Sequence, residues 1–239
     1  MNKHLDVRAD QLARHAVVRR RPGSRQVVAS AVGEASEVIG SIEKGLEITG
    51  LTNGQFSLID ILEHVLAEIG PADVLVSTWT MGIYDGVRAR TWCENGAIRR
   101  IRWIVDPSMF GRRPEIAGRL IKAFGADAFR AVNNHAKFAT LVNDDFAVCI
   151  RSSMNLNPNK RLENFDITEG PELVRFFNAV ANDVFQRFPS GEKGNTQSRV
   201  FFKEILATFE AVEVEEEVGG LPGVPALSMG ELAAGLGID

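Results

Sequence analysis

The sequence predicts an α/β sandwich with a mixed central sheet, an N-terminal arm and a C-terminal tail. Two observations carry that reading. From residue 57 to 132, apolar strand-like runs alternate with helical patterns, the order that lays helices over both faces of a sheet. The stretch "NNHAKFATLVNDDFAVCIRSSMN" (133–155) then reads as two apolar strands joined by a polar turn, so an antiparallel pair enters the same sheet.

The elements follow in order. Residues 1–50 are rich in Ala, Val, Ser and Arg without strong periodicity and are broken by "RRRPGS"; they are expected to be an arm with some helix around 30–45. The main domain is expected over 51–188. In "FSLIDILEHVLAEIGP", Ser57 can cap a helix with Asp60 three residues later, apolar residues recur at helical spacing through Leu66, and Gly70-Pro71 ends it. A buried strand, "DVLVSTWT", follows. Next come a helix over "YDGVRARTWCEN" stopped by Gly96, a strand "IRRIRWIVD", a helix "PEIAGRLIKAF" stopped by Gly125 and a short strand "AFRAV". Beyond the hairpin lie a strand "ENFDIT" and a long helix "GPELVRFFNAVANDVFQRF". Residues 189–239 are expected to hold a linker "PSGEKGNTQSR", a short helix "VFFKEILATFEAV", and an acidic, then Gly/Pro-rich tail too poor in large apolar residues to fold alone.

Composition narrows the function classes. With 45% hydrophobic and 24% charged residues, the 239-residue chain can bury a sizeable core. No run approaches the roughly 18–20 apolar residues of a membrane span, and "MNKHLDVRADQLARH" lacks the apolar centre of a secretion signal, so a cytoplasmic protein without a membrane partner is expected. Cys93 and Cys149 make neither a metal spacing nor a disulfide framework, and Cys149 reads as a small core residue. No metal site and no cofactor are expected. The net charge of −4 is unevenly spread: eight acids and no Lys or Arg follow Lys203, which leaves residues 1–203 at +4. Arginines cluster at Arg19, Arg20, Arg21 and Arg25, at Arg99, Arg100 and Arg102, and at Arg112 and Arg113, where they could meet phosphates or simply face water. Trp79 and Trp103 fall in apolar strand patterns and read as core.

The ends of the hairpin carry the chemistry. Side chains two apart on a strand share a face, so His135 and Lys137 project together, as do Ser153 and Asn155 on the returning strand, at the same end of the hairpin. That gathers an imidazole, an ammonium, a hydroxyl and an amide, a set suited to holding a phosphate while a histidine attacks or protonates it. A lone histidine in such a place is more often an ordinary polar strand end. The four at this spacing, "HAK", a strand, a turn with an acid, a second strand and "SSMN", resemble the HKD signature of the phospholipase D superfamily. The resemblance extends to Glu163-Asn164 in "RLENFDI" and covers about residues 57–188. Two positions depart from the pattern. Val142 stands where it places Asp, although Asp145 keeps the six-residue interval to Ser152, and Ser152 replaces the usual glycine. Since that Asp generally acts in the turn, the resemblance still implies an intact catalytic set.

What the resemblance implies is metal-independent phosphodiester chemistry. His135 would attack phosphorus to form a phosphohistidine, a second histidine would protonate the leaving oxygen, and water would release the product. Lys137, Ser153 and Asn155 would bind the equatorial oxygens, and Glu163 would hold the imidazole in its tautomer. The chain has one such motif: His4, His15 and His64 are not followed by a lysine two residues on. Single-motif members of the family form homodimers around a shared site, which implies a homodimer here. Such members are typically small nucleases, so nucleic acid, DNA ahead of RNA, is the expected substrate. The alternative is a nucleic-acid- or protein-binding subunit of a larger assembly built on the same fold, in which the acidic tail docks on a basic partner or shields the basic groove.

Overall fold

The computed structural model describes residues 25–30, 33–112, 114–156, 160–188 and 190. The arm up to residue 24, the helix expected at 200–212, the acidic tail and all of the linker but Ser190 lie outside the described residues.

Among them, eight strands form one mixed sheet: β1 (Arg25–Ser30), β2 (Glu47–Thr52), β3 (Ala72–Thr78), β4 (Ile98–Val105), β5 (Phe129–Ala131), β6 (Lys137–Val142), β7 (Ala147–Ser152) and β8 (Glu163–Glu169). Their order is β1-β2-β8-β7-β6-β3-β4-β5, which puts the hairpin β6-β7 at the centre. The pairs β1/β2, β3/β4 and β4/β5 are parallel and the rest antiparallel. The α/β sandwich with a mixed sheet is thus observed.

Alternation along the central strands decides what each face packs against. Ala139 and Leu141 of β6, Val148 and Ile150 of β7 and Phe165 and Ile167 of β8 point into one large core. Helices α2 (Leu58–Ile69), α3 (Ile83–Glu94) and α5 (Pro114–Phe124) complete it with Leu62 and Val65, Ala89 and Trp92, and Ala117 and Leu120. The opposite face meets α6 (Pro171–Arg187), where Phe138 packs on Phe177 with ring centroids 4.3 Å apart and the Thr140 hydroxyl donates to Asn178 Oδ1 at 3.0 Å. With both faces covered, β6 is buried along nearly its whole length, which explains its continuous apolar run. Helix α2 starts as its sequence requires: the Asp60 carboxylate accepts the Ser57 backbone N–H at 2.7 Å and its hydroxyl at 2.8 Å.

Within the described part of 25–50, the structure calls for a correction. An arm was expected, but β1, a short helix α1 (Ala35–Ile39) and β2 complete one edge of the sheet. Strand β2 turns Ile48, Gly50 and Thr52 inward, and Gly50 has to be glycine: a Cβ there would lie 2.3 Å from Cζ of Phe165, its partner across the β2/β8 ladder. A short helix α4 (Ser108–Arg112) also precedes α5, where only one helix was expected.

Register brings several strand ends together. Lys137 pairs with Ser152, Ser152 with Phe165, and Ser77 with Phe138. The carboxyl ends of the parallel strands β3 and β4 therefore share one rim of the sheet with the start of β6, the end of β7 and the start of β8. In open α/β sheets that rim is where ligands bind.

Candidate active site

Asn134 builds the rim. Its buried carboxamide donates to Ser77 Oγ (3.0 Å) and to the carbonyls of Thr78 (3.1 Å) and Ile104 (3.2 Å), tying the ends of β3 and β4 together. Its own backbone N–H reaches Asp106 Oδ2 at 3.2 Å, and its Oδ1 accepts from the Ala136 N–H at 3.0 Å. The Ser77 hydroxyl in turn donates to the Ala136 carbonyl at 3.0 Å. The segment that presents His135 is thus clamped on both sides. Such a closed network of buried polar groups fixes one backbone geometry, because opening it would strand several groups in a dry interior.

Lys137 is buried to 8% exposure while His135 is exposed. The ammonium bends back onto the ring, 2.9 Å from Nδ1 and 3.3 Å from Nε2, and donates to the His135 carbonyl at 2.8 Å. Burial lowers the Lys137 pKa from its ordinary value, and the negative charge of Glu163 opposes that shift. Glu163 therefore lies within electrostatic reach of the ammonium.

On the returning side, Ser153 hydrogen bonds through its hydroxyl to Glu163 Oε2 and accepts the Asn164 N–H at 3.0 Å. The Ser152 hydroxyl donates to the Asn164 carbonyl at 2.8 Å and accepts the Met154 N–H at 2.9 Å. Ser152, where the HKD pattern has glycine, thus locks the turn that displays Ser153. Asn155 is half-buried, and among the described residues its buried Oδ1 has no hydrogen-bond partner. A buried carbonyl oxygen without a donor is costly to the fold.

The five expected site residues fall into two contacting pairs and one single residue. His135 meets Lys137, Ser153 meets Glu163, the pairs are linked by the field of Glu163 on Lys137, and among the described residues Asn155 makes no hydrogen bond to the other four. One expected role differs: the Glu163 carboxylate engages Ser153, and it is the Lys137 ammonium that contacts the imidazole. In the turn, exposed Asp144 and Asp145 do not take the organising part. Asn143 does, its Oδ1 accepting the N–H groups of Asp145 (3.0 Å) and Phe146 (2.7 Å) while its amide donates to the Ile69 carbonyl at 2.8 Å.

The residues around the imidazole were not all foreseen. Trp79, expected in the core, lies beyond the end of β3, half-buried, with its ring 5.8 Å from that of His135 and tilted by 43°. Arg112 Cζ sits 5.0 Å from the centroid of the same indole. Trp103 is core as expected, fully buried and stacked on Phe129. Of the arginine clusters, Arg100 pairs with Asp73 at 2.9 Å and Arg102 bonds Asn182 at 2.7 Å and lies over Phe185, all away from the rim. Cys149 is buried, its thiol pushed up to about 12 by burial, which leaves it an inert core residue. Among the described residues no three His, Cys, Asp or Glu side chains are grouped to hold a metal ion, and no helix is long and apolar enough to cross a membrane.

No family model and no curated protein sequence matches the chain. Among solved structures it is similar to Nuc, a phospholipase D family member from Salmonella typhimurium, at 16% identity and a TM-score of 0.44 over 60% of this chain and 96% of that one. It is also similar to a polyphosphate kinase from Porphyromonas gingivalis, at 13% identity and a TM-score of 0.40. That match covers 60% of this chain and 27% of the kinase chain.

Proposed function

We propose that this chain is a metal-independent phosphodiesterase of the HKD type, a homodimeric nuclease that acts on DNA through a phosphohistidine. The observation that carries the reading is the Lys137 ammonium 2.9 Å from His135 Nδ1, on a rim where Ser153 and Asn155 follow the paired strand. The ammonium donates to whichever ring nitrogen lacks the proton. A phosphate oxygen arriving at the rim offers that ammonium a stronger, charged acceptor and so releases the nitrogen lone pair beside it.

A His135 nitrogen attacks phosphorus while the bond to the leaving oxygen breaks, and His135 of the partner subunit, protonated, gives that oxygen its proton. Water then attacks the phosphohistidine, giving up its proton to the same partner imidazole, and the P–N bond breaks to regenerate both rings. Lys137, Ser153 and the Asn155 amide stabilise the equatorial oxygens, whose charge grows in the transition state. Glu163 favours the charged form of Lys137 and holds the Ser153 hydroxyl in the resting site, and that hydroxyl turns from the carboxylate to the phosphate oxygen when substrate binds.

The test is cleavage of single- and double-stranded DNA, RNA and bis-p-nitrophenyl phosphate with and without EDTA. Cleavage should survive the chelator and vanish in His135→Ala, and vanadate should inhibit as a five-coordinate phosphorus mimic. Cleavage that EDTA abolishes and His135→Ala spares would overturn the reading, and absence of any cleavage with tight DNA or protein binding would favour a binding subunit.

A further inference from the structure

Beside the proposed catalytic rim lies a cleft of about 400 Å³ that the chemistry at His135 does not use. Trp79, Thr80, Met81, Met109, Arg112 and Ile116 line it, so its walls are an indole, two thioethers and an aliphatic side chain, with a guanidinium at the border. Its size falls within the ordinary range of small-ligand sites, roughly 300–1,000 Å³. Trp79 belongs to both places: it lines the cleft and lies 5.8 Å, centroid to centroid, from the His135 ring.

We infer that this cleft holds one unpaired nucleobase of the substrate, the base on the nucleotide whose phosphate reacts at His135. The inference rests on the nuclease reading and names what that reading leaves open, the form of nucleic acid taken. Whatever enters is tethered to a phosphorus at His135, so it reaches the indole within one sugar of the reacting bond. A flat π-system gains most from such a wall, and sulfur and aliphatic groups close the rest of a base-sized slot. Arg112 Cζ lies over the indole, 5.0 Å from its centroid, so a guanidinium stands at the slot to meet the acceptor edge of a base or the next phosphate. Among the described residues Arg112 makes no ion pair that would withdraw it from that task. A base stacked and paired inside a duplex cannot enter a slot walled by one indole, so the substrate is single-stranded at this position or gives up that base by flipping.

The test compares a dinucleoside phosphate with its analogue lacking the base on the side of the scissile bond facing the cleft, in the full chain. The readout is the ratio of kcat/KM for the two substrates. Trp79→Ala should collapse that ratio by about 10- to 100-fold, the usual weight of one base-aromatic stack, and Trp79→Phe should restore much of it. Arg112→Ala should raise KM for the dinucleoside phosphate more than it lowers kcat. A second measurement does not depend on turnover: the dinucleoside phosphate should quench tryptophan fluorescence in His135→Ala, and the quench should be lost in His135→Ala with Trp79→Phe. An unchanged ratio in Trp79→Ala, or a quench that survives loss of Trp79, would overturn the inference even if the enzyme cleaves diesters. Failure to cleave any diester would sink the nuclease reading, while the fluorescence titration would still decide whether the cleft takes a base.

Discussion

The Lys137 ammonium touches His135 twice, at ring Nδ1 (2.9 Å) and at the backbone carbonyl (2.8 Å), while remaining almost completely buried. A cation in that position is costly to keep charged, and the shift of its pKa below the ordinary lysine value of 10.5 records the cost. As pH rises through the lowered value, the proton leaves and the charge that meets the phosphate goes with it. The alkaline limb of kcat/KM should therefore fall earlier than a free lysine would allow. Lys137→Arg, which cannot lose its proton, should show no such limb, and Lys137→Ala should lose about 10²–10³ in kcat. In the window between the folded value and 10.5 the unfolded chain binds more protons, so the Lys137 contribution to stability rises with pH; a pH-rate profile beside a pH-dependent melt checks both.

Asn155 should separate stability from activity. Among the described residues its buried Oδ1 lacks a partner, and an unsatisfied buried group costs about 1–3 kcal/mol. Asn155→Ala removes that penalty along with some packing, so its denaturation midpoint is expected to hold or rise. The same change deletes an amide proposed to bind an equatorial oxygen, so kcat should drop. A variant that loses stability and activity in step would show the amide to be structural.

Asn134 predicts the opposite coupling. Its amide nitrogen donates toward three acceptors from β3 and β4, and Asn134→Ala would take that donor from the Thr78 and Ile104 carbonyls in the interior. A loss of about 2–4 kcal/mol in urea unfolding is expected, with reduced kcat because His135 sits one residue beyond the clamp. Asn134→Asp should be at least as harmful, since it sets a carboxylate against those three oxygens. An Asn134→Ala protein as stable as the parent would show the clamp to be dispensable.

What could be read in advance divides along physical lines. Helices such as Leu58–Ile69 carry their own signal: Ser57, Asp60 and the apolar spacing lie within a dozen residues. The hairpin was legible for a similar reason, since the pair Lys137 and Ser152 is fixed by a short turn. Strand β2 was not, because its inward face is Ile48, Gly50 and Thr52, and a glycine and a threonine leave little apolar period to detect. Trp79 was misplaced because apolar character continues past the strand. The ladder itself stops at Thr78, whose hydroxyl turns onto the Thr80 carbonyl (2.8 Å) and whose own carbonyl is taken by Asn134. The site residues were found through the spacing of side chains whose roles are local. Asn134, sitting directly before His135, was missed because its partners lie 30 to 57 residues away.

Gly50→Ala tests the packing that closes the β1-β2 edge. The new methyl would meet the buried Phe165 ring at three atoms, 2.3, 2.5 and 2.9 Å away, and a ring fully enclosed in the core has little room to retreat. Overpacking of this kind costs about 1–3 kcal/mol, so the urea midpoint should fall while activity per folded molecule is retained. An unchanged midpoint would mean that the ring moves freely.

The shared site makes the sharpest demand. Among the described residues His135 is the one histidine at the rim, since His64 lies on α2 with Nε2 2.6 Å from the Gly40 carbonyl, and the proposed reaction needs both a nucleophilic and a protonated imidazole. Sedimentation should show a dimer. When wild-type chains are unfolded, mixed with His135→Ala chains and refolded, every mixed dimer would hold one imidazole and be inactive. Activity should then follow the square of the wild-type fraction: half wild-type chains should give about a quarter of full activity, as random pairing in a two-fold dimer dictates. A linear dependence, or a monomer that cleaves, would show that each chain carries a complete site, and the proton for the leaving oxygen would have to come from within the same chain.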